Sequence, residues 1–355
     1  VVGTSWWSDA MYLPALKNHP QATVAAACGR DYKRLQAFAQ RWDIPCTYTD
    51  YRYMIDSGDL DALVIASPTD THYPIVLYAL DAGLHVLCDK PLAQNGANAR
   101  EMADRARQAG VKTMVPFTYR YMPTTRYVKR LIDEGYIGKP YHLNMRYYAG
   151  FGREPKYEWR FDKDVAGSGV LGELGTHWLH LARWFYGEIA SLCCLCETMI
   201  ERPSRPDGFD YTRGDDSAAL MVRFANGAYG CLQVTSLAHE GTPMGQTHHM
   251  DFHGSAGTLY NEIDWDEVQE VRGCQMGEKP HALSVPEDIW NGARRDTVHN
   301  TYKDVFRQQD TMAREFITAI SDNQPCTPDF EEGARVSELI DAAIASAESR
   351  QWVDV

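Results

Sequence analysis

The first third of the chain alternates short apolar runs with helical patterns. Runs such as "ATVAAACG", "DALVIASP" and "HVLCD" have the length and composition of buried strands, and helical stretches separate them. This alternation predicts a parallel sheet that is covered by helices on both faces. Because ligands of such sheets bind at the carboxyl ends of the strands, the loops after these runs are the first candidates for a functional site.

The remaining two thirds carry a different pattern. Runs such as "SLCCLCETM" and "SAALMVRFANGAYGCLQVTS" read as strands, and the second contains an "NG" turn, as expected for antiparallel hairpins. We therefore predict that the chain, which has 355 residues, adopts an α/β fold with two domains. Residues 1–121 form a doubly wound parallel sheet, and residues 122–355 form an α+β domain with an open, mainly antiparallel sheet.

Composition argues against several classes of partner. The formal net charge of -13 makes the surface anionic, which disfavours binding to nucleic acid phosphates or anionic lipid. No uninterrupted apolar stretch approaches 18 residues, and the first residues lack the pattern of a signal peptide. Nine cysteines, an odd number at irregular positions, are typical of a reducing compartment. We expect a cytoplasmic protein that binds a small molecule and neither nucleic acid nor membrane.

The stretch "GTSWWSD" at the first strand end is a partial dinucleotide-binding fingerprint. Such a fingerprint carries three glycines, but here Gly3 is followed by Ser5 and Ser8. Gly3 can make the tight turn, Ser5 is small enough for a fairly close approach, and the next helix can offer N–H groups to a pyrophosphate. Trp6 and Trp7 either pack against the cofactor or fill a crevice.

The second strand ends in "CGRDYKR", where a carboxylate usually holds the ribose hydroxyls of NAD. Gly29 and Arg30 stand there, with Lys33 and Arg34 close behind. A small residue followed by arginine leaves room and charge for a 2′-phosphate, which favours NADP over NAD. The alternative is that Arg30 and Arg34 belong to a solvated helix face.

Two later strands end in "ASPTDTHYP" and "CDKPLA", so both loops are expected at the cofactor crevice. Lys90 would then lie near the nicotinamide, where its ammonium can hydrogen-bond a substrate hydroxyl. Asp89 favours the charged form of the lysine, and Pro91 fixes the backbone beside it, with a cis peptide bond as one option. The alternative is a salt-bridged strand end.

The most chemically dense stretch is "GELGTHWLHLARWFYG". If it is helical from Glu173 onward, Glu173, His177 and His180 follow one another at i, i+4 and i+7 and share a face. A carboxylate one turn before an imidazole can fix its tautomer, which suits proton transfer. We expect a site without metal. A metal site that adds His249 or His253, and ordinary packing histidines, are the alternatives.

These stretches together resemble the Gfo/Idh/MocA oxidoreductases along nearly the whole chain. The resemblance is carried by "SPTDTHYPIVLYALDAGLHVLCDKPLA", "YRYMP", "IDEGYIGKP", "WRFD", "GELGTHWLHLARWFYG" and "DDSAALMVRFANGAYG", in the family's order. It implies a Rossmann domain followed by an α+β domain whose open sheet often mediates oligomers. We therefore expect a homodimer or homotetramer formed through that sheet.

The resemblance also implies roles for single residues. "DKP" is similar to the family's Glu-Lys-Pro, with Lys90 as the active-site lysine and Asp89 as a shortened Glu. Glu173 and His177 match an Asp-x-x-x-His pair whose imidazole exchanges a proton with the substrate hydroxyl. Further cofactor contacts are implied at Ser67, Pro68, Thr69, His72, Asp89 and Arg120, and substrate contacts at Lys90, Arg160, His177 and His180.

The chain departs from the family pattern at Glu173, whose side chain is one methylene longer than Asp, and at His180, which replaces a frequent Asp. The activity implied is an NAD(P)-dependent dehydrogenase acting on a secondary alcohol of a sugar, cyclitol or related polyol, with Lys90 and His177 managing the hydroxyl proton. Two alternatives are a glycosidase-type enzyme that oxidises its sugar transiently, and a nucleotide-binding regulatory protein. Lys90 and His177 together argue against the regulatory protein.

Overall fold

The computed structural model describes residues 1–239, 246–265 and 268–355, and the chain divides into two compact units. The first unit contains Val1–Pro116 and Lys303–Ser337, and the second contains Phe117–Tyr302 and Glu338–Val355. The predicted division at residue 121 differs from this one chiefly in residues 303–337, which belong to the first unit.

Hydrogen bonds show why this later segment belongs to the first unit. The Phe330 N–H donates to Thr113 Oγ1 over 3.2 Å, and the Val115 N–H donates to the Pro328 carbonyl over 2.9 Å. These bonds satisfy backbone groups at the buried end of the sheet, where an unpaired N–H is costly. The sequence pattern of an amphipathic helix carries no information about which sheet it covers.

The first unit is built on parallel strands. The strands are β1 (Ala26–Cys28), β2 (Cys46–Tyr48), β3 (Ala62–Ile65), β4 (His85–Cys88) and β5 (Thr113–Met114). The pairs β1–β2, β3–β4 and β4–β5 are parallel, and Val2 bridges Cys28 on one side and Ile65 on the other, also in parallel. The sheet order is therefore β2, β1, the N-terminal segment, β3, β4, β5, which is the Rossmann order. The predicted doubly wound sheet is confirmed.

Helices connect these strands, and polar caps begin several of them. A π-helical turn, Ser8–Tyr12, leads into α1 (Leu13–Lys17), and α2 (Tyr32–Arg41), α3 (Tyr51–Ser57), α4 (His72–Asp81) and α5 (Gly96–Ala109) follow. The side chains of Asp31, Asp50 and Asn95 accept backbone N–H groups at the starts of α2, α3 and α5. Such caps satisfy donors that have no partner within the helix.

The second unit contains a nine-stranded sheet. Its strands are β6 (Pro140–Tyr148), β7 (Ile189–Glu197), β8 (Ser217–Phe224), β9 (Tyr229–Thr235), β10 (Thr247–Gly254), β11 (Gly257–Asp264), β12 (Val268–Gln275), β13 (His281–Ala282) and β14 (Val353–Asp354). Their order is β13-β12-β11-β10-β6-β9-β8-β7-β14. The β6–β9 pair is parallel and the other pairs are antiparallel, so the predicted open, mainly antiparallel sheet is confirmed.

The remaining helices are α6 (Pro123–Asp133), α7 (Lys163–Ala166), α8 (Thr176–Tyr186), α9 (Glu287–Trp290), α10 (Val298–Arg307), α11 (Ala313–Ser321) and α12 (Phe330–Ser349). Helix α8 lies on one face of the nine-stranded sheet, where Phe185 contacts Phe252 at 4.6 Å between ring centroids. The opposite face exposes Leu195, Met221 and Tyr229. Among the described residues, no helix has the length and apolar character needed to cross a membrane.

Candidate active site

Gly3 makes the tight turn that was predicted for the dinucleotide-binding loop. Its φ is +100°, and a Cβ atom there would lie 2.2 Å from the Ala66 carbonyl oxygen, so the position requires glycine. Ser5 and Ser8, which replace fingerprint glycines, bond each other: the Ser8 N–H donates to Ser5 Oγ over 3.2 Å. The loop thus keeps its compact turn with two glycines fewer. Trp6 is 66% exposed, whereas Trp7 is half-buried.

The loop after β1 places basic side chains at the surface. Arg30 and Arg34 are both exposed, and the Gly29 N–H donates to the Tyr48 carbonyl over 3.1 Å. Asp31 accepts the Arg34 N–H over 3.0 Å and so caps α2. Asp31 was not predicted to have a role, although an Asp directly before a helical pattern is a recognisable capping signal.

Ser67, Pro68 and Thr69 lie in one turn after β3. Ser67 Oγ is 2.6 Å from Thr71 Oγ1, and the Thr71 N–H donates to the Pro68 carbonyl over 3.0 Å. These bonds close the turn on itself. A dinucleotide that passes the ends of the neighbouring strands would therefore meet a preformed backbone surface, which fits the predicted contacts at these residues.

His72 lies beneath that turn, at the first position of α4, and is 1% exposed. Its Nε2 is 2.9 Å from the Ser67 carbonyl oxygen, and its Nδ1 is 3.0 Å from the Pro91 carbonyl oxygen. The ring therefore joins the turn after β3 to the turn after β4. Its nitrogens face backbone carbonyls of both turns, which is a different environment from the cofactor contact that the resemblance implied.

Lys90 begins the turn after β4. The Asp89 N–H donates to the Ile65 carbonyl over 2.9 Å, and the Asp89 carboxylate accepts the Lys90 N–H over 2.8 Å. Asp89 thus holds the Lys90 backbone, a role that its side chain can fill without the length of Glu. The Lys90–Pro91 peptide bond is cis, and both Asp89 and Lys90 are half-buried.

In the second unit, two histidines of α8 pack against the turn at residues 117–121. His177 is 4% exposed, and its ring lies 4.6 Å from the ring of Tyr119. His180 stacks on Phe117, with ring centroids 4.1 Å apart and an interplanar angle of 8°. Arg120 Nη1 is 3.5 Å from His180 Nε2. Predicted site residues from two distant parts of the sequence therefore lie together.

Glu173 lies in a π-helical turn, Leu171–Gly175, that runs directly into α8. The prediction of one regular helix from Glu173 onward is wrong at this turn, because π-helical bonding spans five residues and changes the angle between successive side chains. Arg160 Nε lies 3.3 Å from Glu173 Oε1. The "WRFD" motif is therefore joined to the "GELGTH" motif by an ion pair.

A buried polar cluster lies next to His177. The hydroxyls of Tyr119 and Tyr147 are 2.7 Å apart, and Gln246 Nε2 lies 2.8 Å from each. The same nitrogen is 3.2 Å from His248 Nε2, and burial lowers the pKa of His248 to about 3. This cluster was not predicted, although strand alternation in β6 and β10 points both Tyr147 and His248 toward the helix-covered face.

His249 and His253, which the metal alternative would have added, lie on the other side of β10. His249 bonds Asp264 at 2.9 Å, and His253 stacks on His142 with centroids 4.4 Å apart. Because α8 covers the opposite face of the sheet, these rings do not join His177. In the part of the chain that the structure describes, no group of three or more His, Cys, Asp or Glu residues is arranged to hold a metal ion.

Comparisons with known proteins match both units. Residues 1–117 match a family model described as "Oxidoreductase family, NAD-binding Rossmann fold", and residues 125–260 match the GFO/IDH/MocA C-terminal domain. A levoglucosan dehydrogenase of Pseudarthrobacter phenanthrenivorans is 31% identical, over 89% of this chain and 85% of that protein. A D-glucoside 3-dehydrogenase of Escherichia coli is 27% identical, over 100% of this chain and 96% of that protein.

Solved structures agree with these matches. A levoglucosan dehydrogenase in complex with NADH and levoglucosan superimposes with a TM-score of 0.86 at 26% identity, and the match covers 100% of this chain and 98% of that one. An NAD-binding oxidoreductase from Klebsiella pneumoniae superimposes with a TM-score of 0.84 at 28% identity, covering 100% of this chain and 97% of that one.

Proposed function

The chain belongs to the Gfo/Idh/MocA oxidoreductase family, as its sequence motifs indicated, and we propose that it is a dehydrogenase acting on a secondary alcohol or ketone of a sugar, cyclitol or related polyol. The observation that carries this proposal is the match over nearly the full length to dehydrogenases named for sugar substrates. Such a match spans the dinucleotide-binding unit and the unit that contains His177.

The residues of the first unit fit a dinucleotide. The turn at Gly3 has no room for a Cβ atom, and it is followed by a helix start with N–H groups that suit a pyrophosphate. Ser67, Pro68 and Thr69, at the end of β3, would hold the part of the cofactor that crosses the strand edge. When bound, the nicotinamide supplies or accepts the hydride.

Lys90 and His177 are the residues that we propose for the proton. The Asp89 carboxylate anchors the backbone of Lys90, and Tyr119 packs against the ring of His177, so each side chain extends from a constrained position. His177 would exchange the single proton of the reacting hydroxyl as the hydride moves, and the Lys90 ammonium would hydrogen-bond that hydroxyl. Glu173 would orient His177, with Arg160 holding Glu173, while Arg160 and His180 would contact the substrate's other oxygens.

We further propose that NADP is preferred to NAD, with Arg30 and Arg34 contacting the 2′-phosphate. Both residues are exposed; Arg30 follows Gly29 after β1, and Arg34 lies in the first turn of α2. A charge-assisted hydrogen bond is worth about 1.5–3 kcal/mol, so Arg30→Ala should weaken NADPH binding about tenfold or more and leave NADH binding nearly unchanged. Dissociation constants measured by nicotinamide fluorescence test this.

The control for that measurement is Arg107→Ala, which removes an exposed guanidinium on α5 that pairs with Asp104. It should alter neither dissociation constant. If the unmodified protein binds NADH more tightly than NADPH, the preference for NADP is wrong, whereas the dehydrogenase assignment is unaffected.

A panel of sugars, sugar acids and inositols, assayed with NAD and NADP, tests the reaction class. We expect net formation of reduced nicotinamide with at least one member, in proportion to the alcohol consumed. Release of a sugar from a glycoside without net reduction of added cofactor would instead indicate the glycosidase-type enzyme. Binding of cofactor with neither reaction would indicate a regulatory protein.

We also propose a homodimer or homotetramer that forms through the open face of the nine-stranded sheet. Leu195, Met221 and Tyr229 expose large apolar side chains there, each about half exposed or more. Exposed apolar patches of this kind mark association surfaces. A monomeric mass by light scattering would contradict this.

The free state of all nine cysteines supports a location in the reducing cytoplasm, and fractionation of cells tests it.

A further inference from the structure

His72 makes a contact that the proposed mechanism does not use. The ring is 1% exposed, and two backbone carbonyls face its two nitrogens: Ser67 at Nε2 and Pro91 at Nδ1. Both distances, 2.9 Å and 3.0 Å, are those of good hydrogen bonds. One side chain therefore lies within hydrogen-bond distance of the backbones of two turns, and the second of these turns begins with Lys90.

A neutral imidazole has one N–H and can donate to one of these carbonyls at a time, whereas an imidazolium would donate to both. Burial lowers the pKa of His72. Hydrogen bonds to backbone groups act to raise this pKa, but the effect of burial is larger. The ring is therefore neutral at neutral pH. The position of its single proton decides which turn it secures.

The two turns are held by different bonds, and those described above for the turn after β4 involve Asp89 and Lys90 rather than Pro91. The turn after β3 is closed by its own bonds, since Thr71 donates to the Pro68 carbonyl through both its N–H and its hydroxyl, and Thr71 Oγ1 also meets Ser67 Oγ. Pro91 has no N–H, so its carbonyl is the backbone group through which the residue can be fixed by a hydrogen bond.

We propose that His72 is a positioning residue for Lys90: its Nδ1–H donates to the Pro91 carbonyl and holds the turn from which the lysine extends. This inference rests on the proposed role of Lys90. A shift of about 1 Å in a reacting group can cost on the order of a hundredfold in rate, so an anchor one residue from the lysine has a measurable effect on turnover.

Three substitutions separate the two ring nitrogens. The amide nitrogen of Asn occupies a place close to Nδ1, and that of Gln a place close to Nε2, while Phe keeps the ring volume without a donor. We expect His72→Phe and His72→Gln to lower kcat about 10- to 100-fold, and His72→Asn to stay within about threefold of the unmodified enzyme. The dissociation constant of NADH or NADPH, read by fluorescence, should change less than about threefold in all three.

His19→Gln is the matched control. His19 is also buried in the first unit, with Nε2 3.1 Å from Thr318 Oγ1 and Nδ1 accepting the Gln21 N–H, and neither contact involves the two turns. Its substitution should lower the midpoint of thermal unfolding about as much as His72→Gln does while leaving kcat unchanged. Equal turnover in His72→Asn and His72→Gln, at equal unfolding midpoints, would overturn the proposal.

Combination with Lys90→Ala keeps this inference distinct from the proposed function. If His72 acts through the lysine, adding His72→Phe to Lys90→Ala should lower turnover by less than about threefold further. Full turnover in Lys90→Ala alone would refute the role of the lysine itself. Suppose instead that Lys90→Ala lowers turnover. If His72→Phe alone then leaves turnover unchanged, or if the two losses multiply fully in the double variant, only the positioning role of His72 is refuted.

Discussion

Gly3 shows how a single residue can be required by backbone alone. The sequence pattern predicted a tight turn at this position, but it could not show that the Ala66 carbonyl lies where a Cβ atom would be. The reason is that Ala66 approaches only after β3 has been placed beside the N-terminal segment. A short local motif predicts the turn, whereas the close contact depends on the tertiary placement of β3.

Gly3→Ala should destabilise the first unit by about 3 kcal/mol, because left-handed backbone costs about 1–2 kcal/mol and overpacking adds a similar amount. The matched control is Gly83→Ala, where φ is +73° but a Cβ would meet no atom within 4 Å, so only the backbone cost of about 1–2 kcal/mol applies. Urea unfolding of both variants measures the difference. Equal losses of stability would contradict the close contact with Ala66.

Some single residues of the candidate site could be predicted from the sequence, and others could not. Lys90 and His177 were predicted from short motifs whose residues are neighbours in the sequence, and both lie in constrained positions. The contact of His72 with the Pro91 carbonyl and the contact of Gln246 with two tyrosines involve residues that are far apart in the sequence. No pattern in one chain predicts such pairs.

Among the elements, the segment before α8 differs most from its prediction. A 3.6-residue period was expected from Glu173, yet Leu171–Gly175 forms a π-helical turn, and Gly175 packs closely enough that a Cβ would lie 3.1 Å from Leu171 Cδ1. Such turns are frequent at functional sites. Their sequences also fit an ordinary helix, which explains why periodicity alone missed this one.

The long connection between β7 and β8 is anchored by a buried ion pair. Arg202 Nη1 lies 2.6 Å from Asp216 Oδ1, with side chains 1% and 0% exposed, and the same carboxylate accepts the N–H groups of Met199 and Ile200. The Arg202 guanidinium lies 3.7 Å from the centre of the Phe161 ring, next to Arg160. The ion pair thus supports the turn that carries Arg160.

Asp216→Ala should lower the free energy of unfolding by about 3–5 kcal/mol, because it leaves a buried guanidinium without its counter-charge. The control is Asp288→Ala, which removes the partner of Arg130 in an exposed pair at 2.5 Å and should cost little. Thermal and urea unfolding of both variants provide the comparison. A loss for Asp216→Ala no larger than that of the control would show that the pair does not anchor the connection.

For the molecule as a whole, the fold class was more predictable than the division of the chain into two units. Alternation of strands and helices, followed by hairpin patterns, predicted both sheets, since each pattern reports burial of its own segment. The return of residues 303–337 to the first unit was not predicted, because an amphipathic helix shows that it packs without showing against what. The acidic net charge of -13 is consistent with a small-molecule substrate and says nothing about its identity.

In the proposed reaction, hydride transfer depends on Lys90 as a residue that handles the hydroxyl proton. The most direct test is the turnover of Lys90→Ala on a substrate found in the panel, together with its dissociation constant for the cofactor. We predict that kcat falls by about 10²- to 10⁴-fold, the range for a lost general acid or base, while cofactor affinity stays nearly unchanged. Full turnover in Lys90→Ala, with the cofactor bound as before, would show that Lys90 takes no part in the reaction.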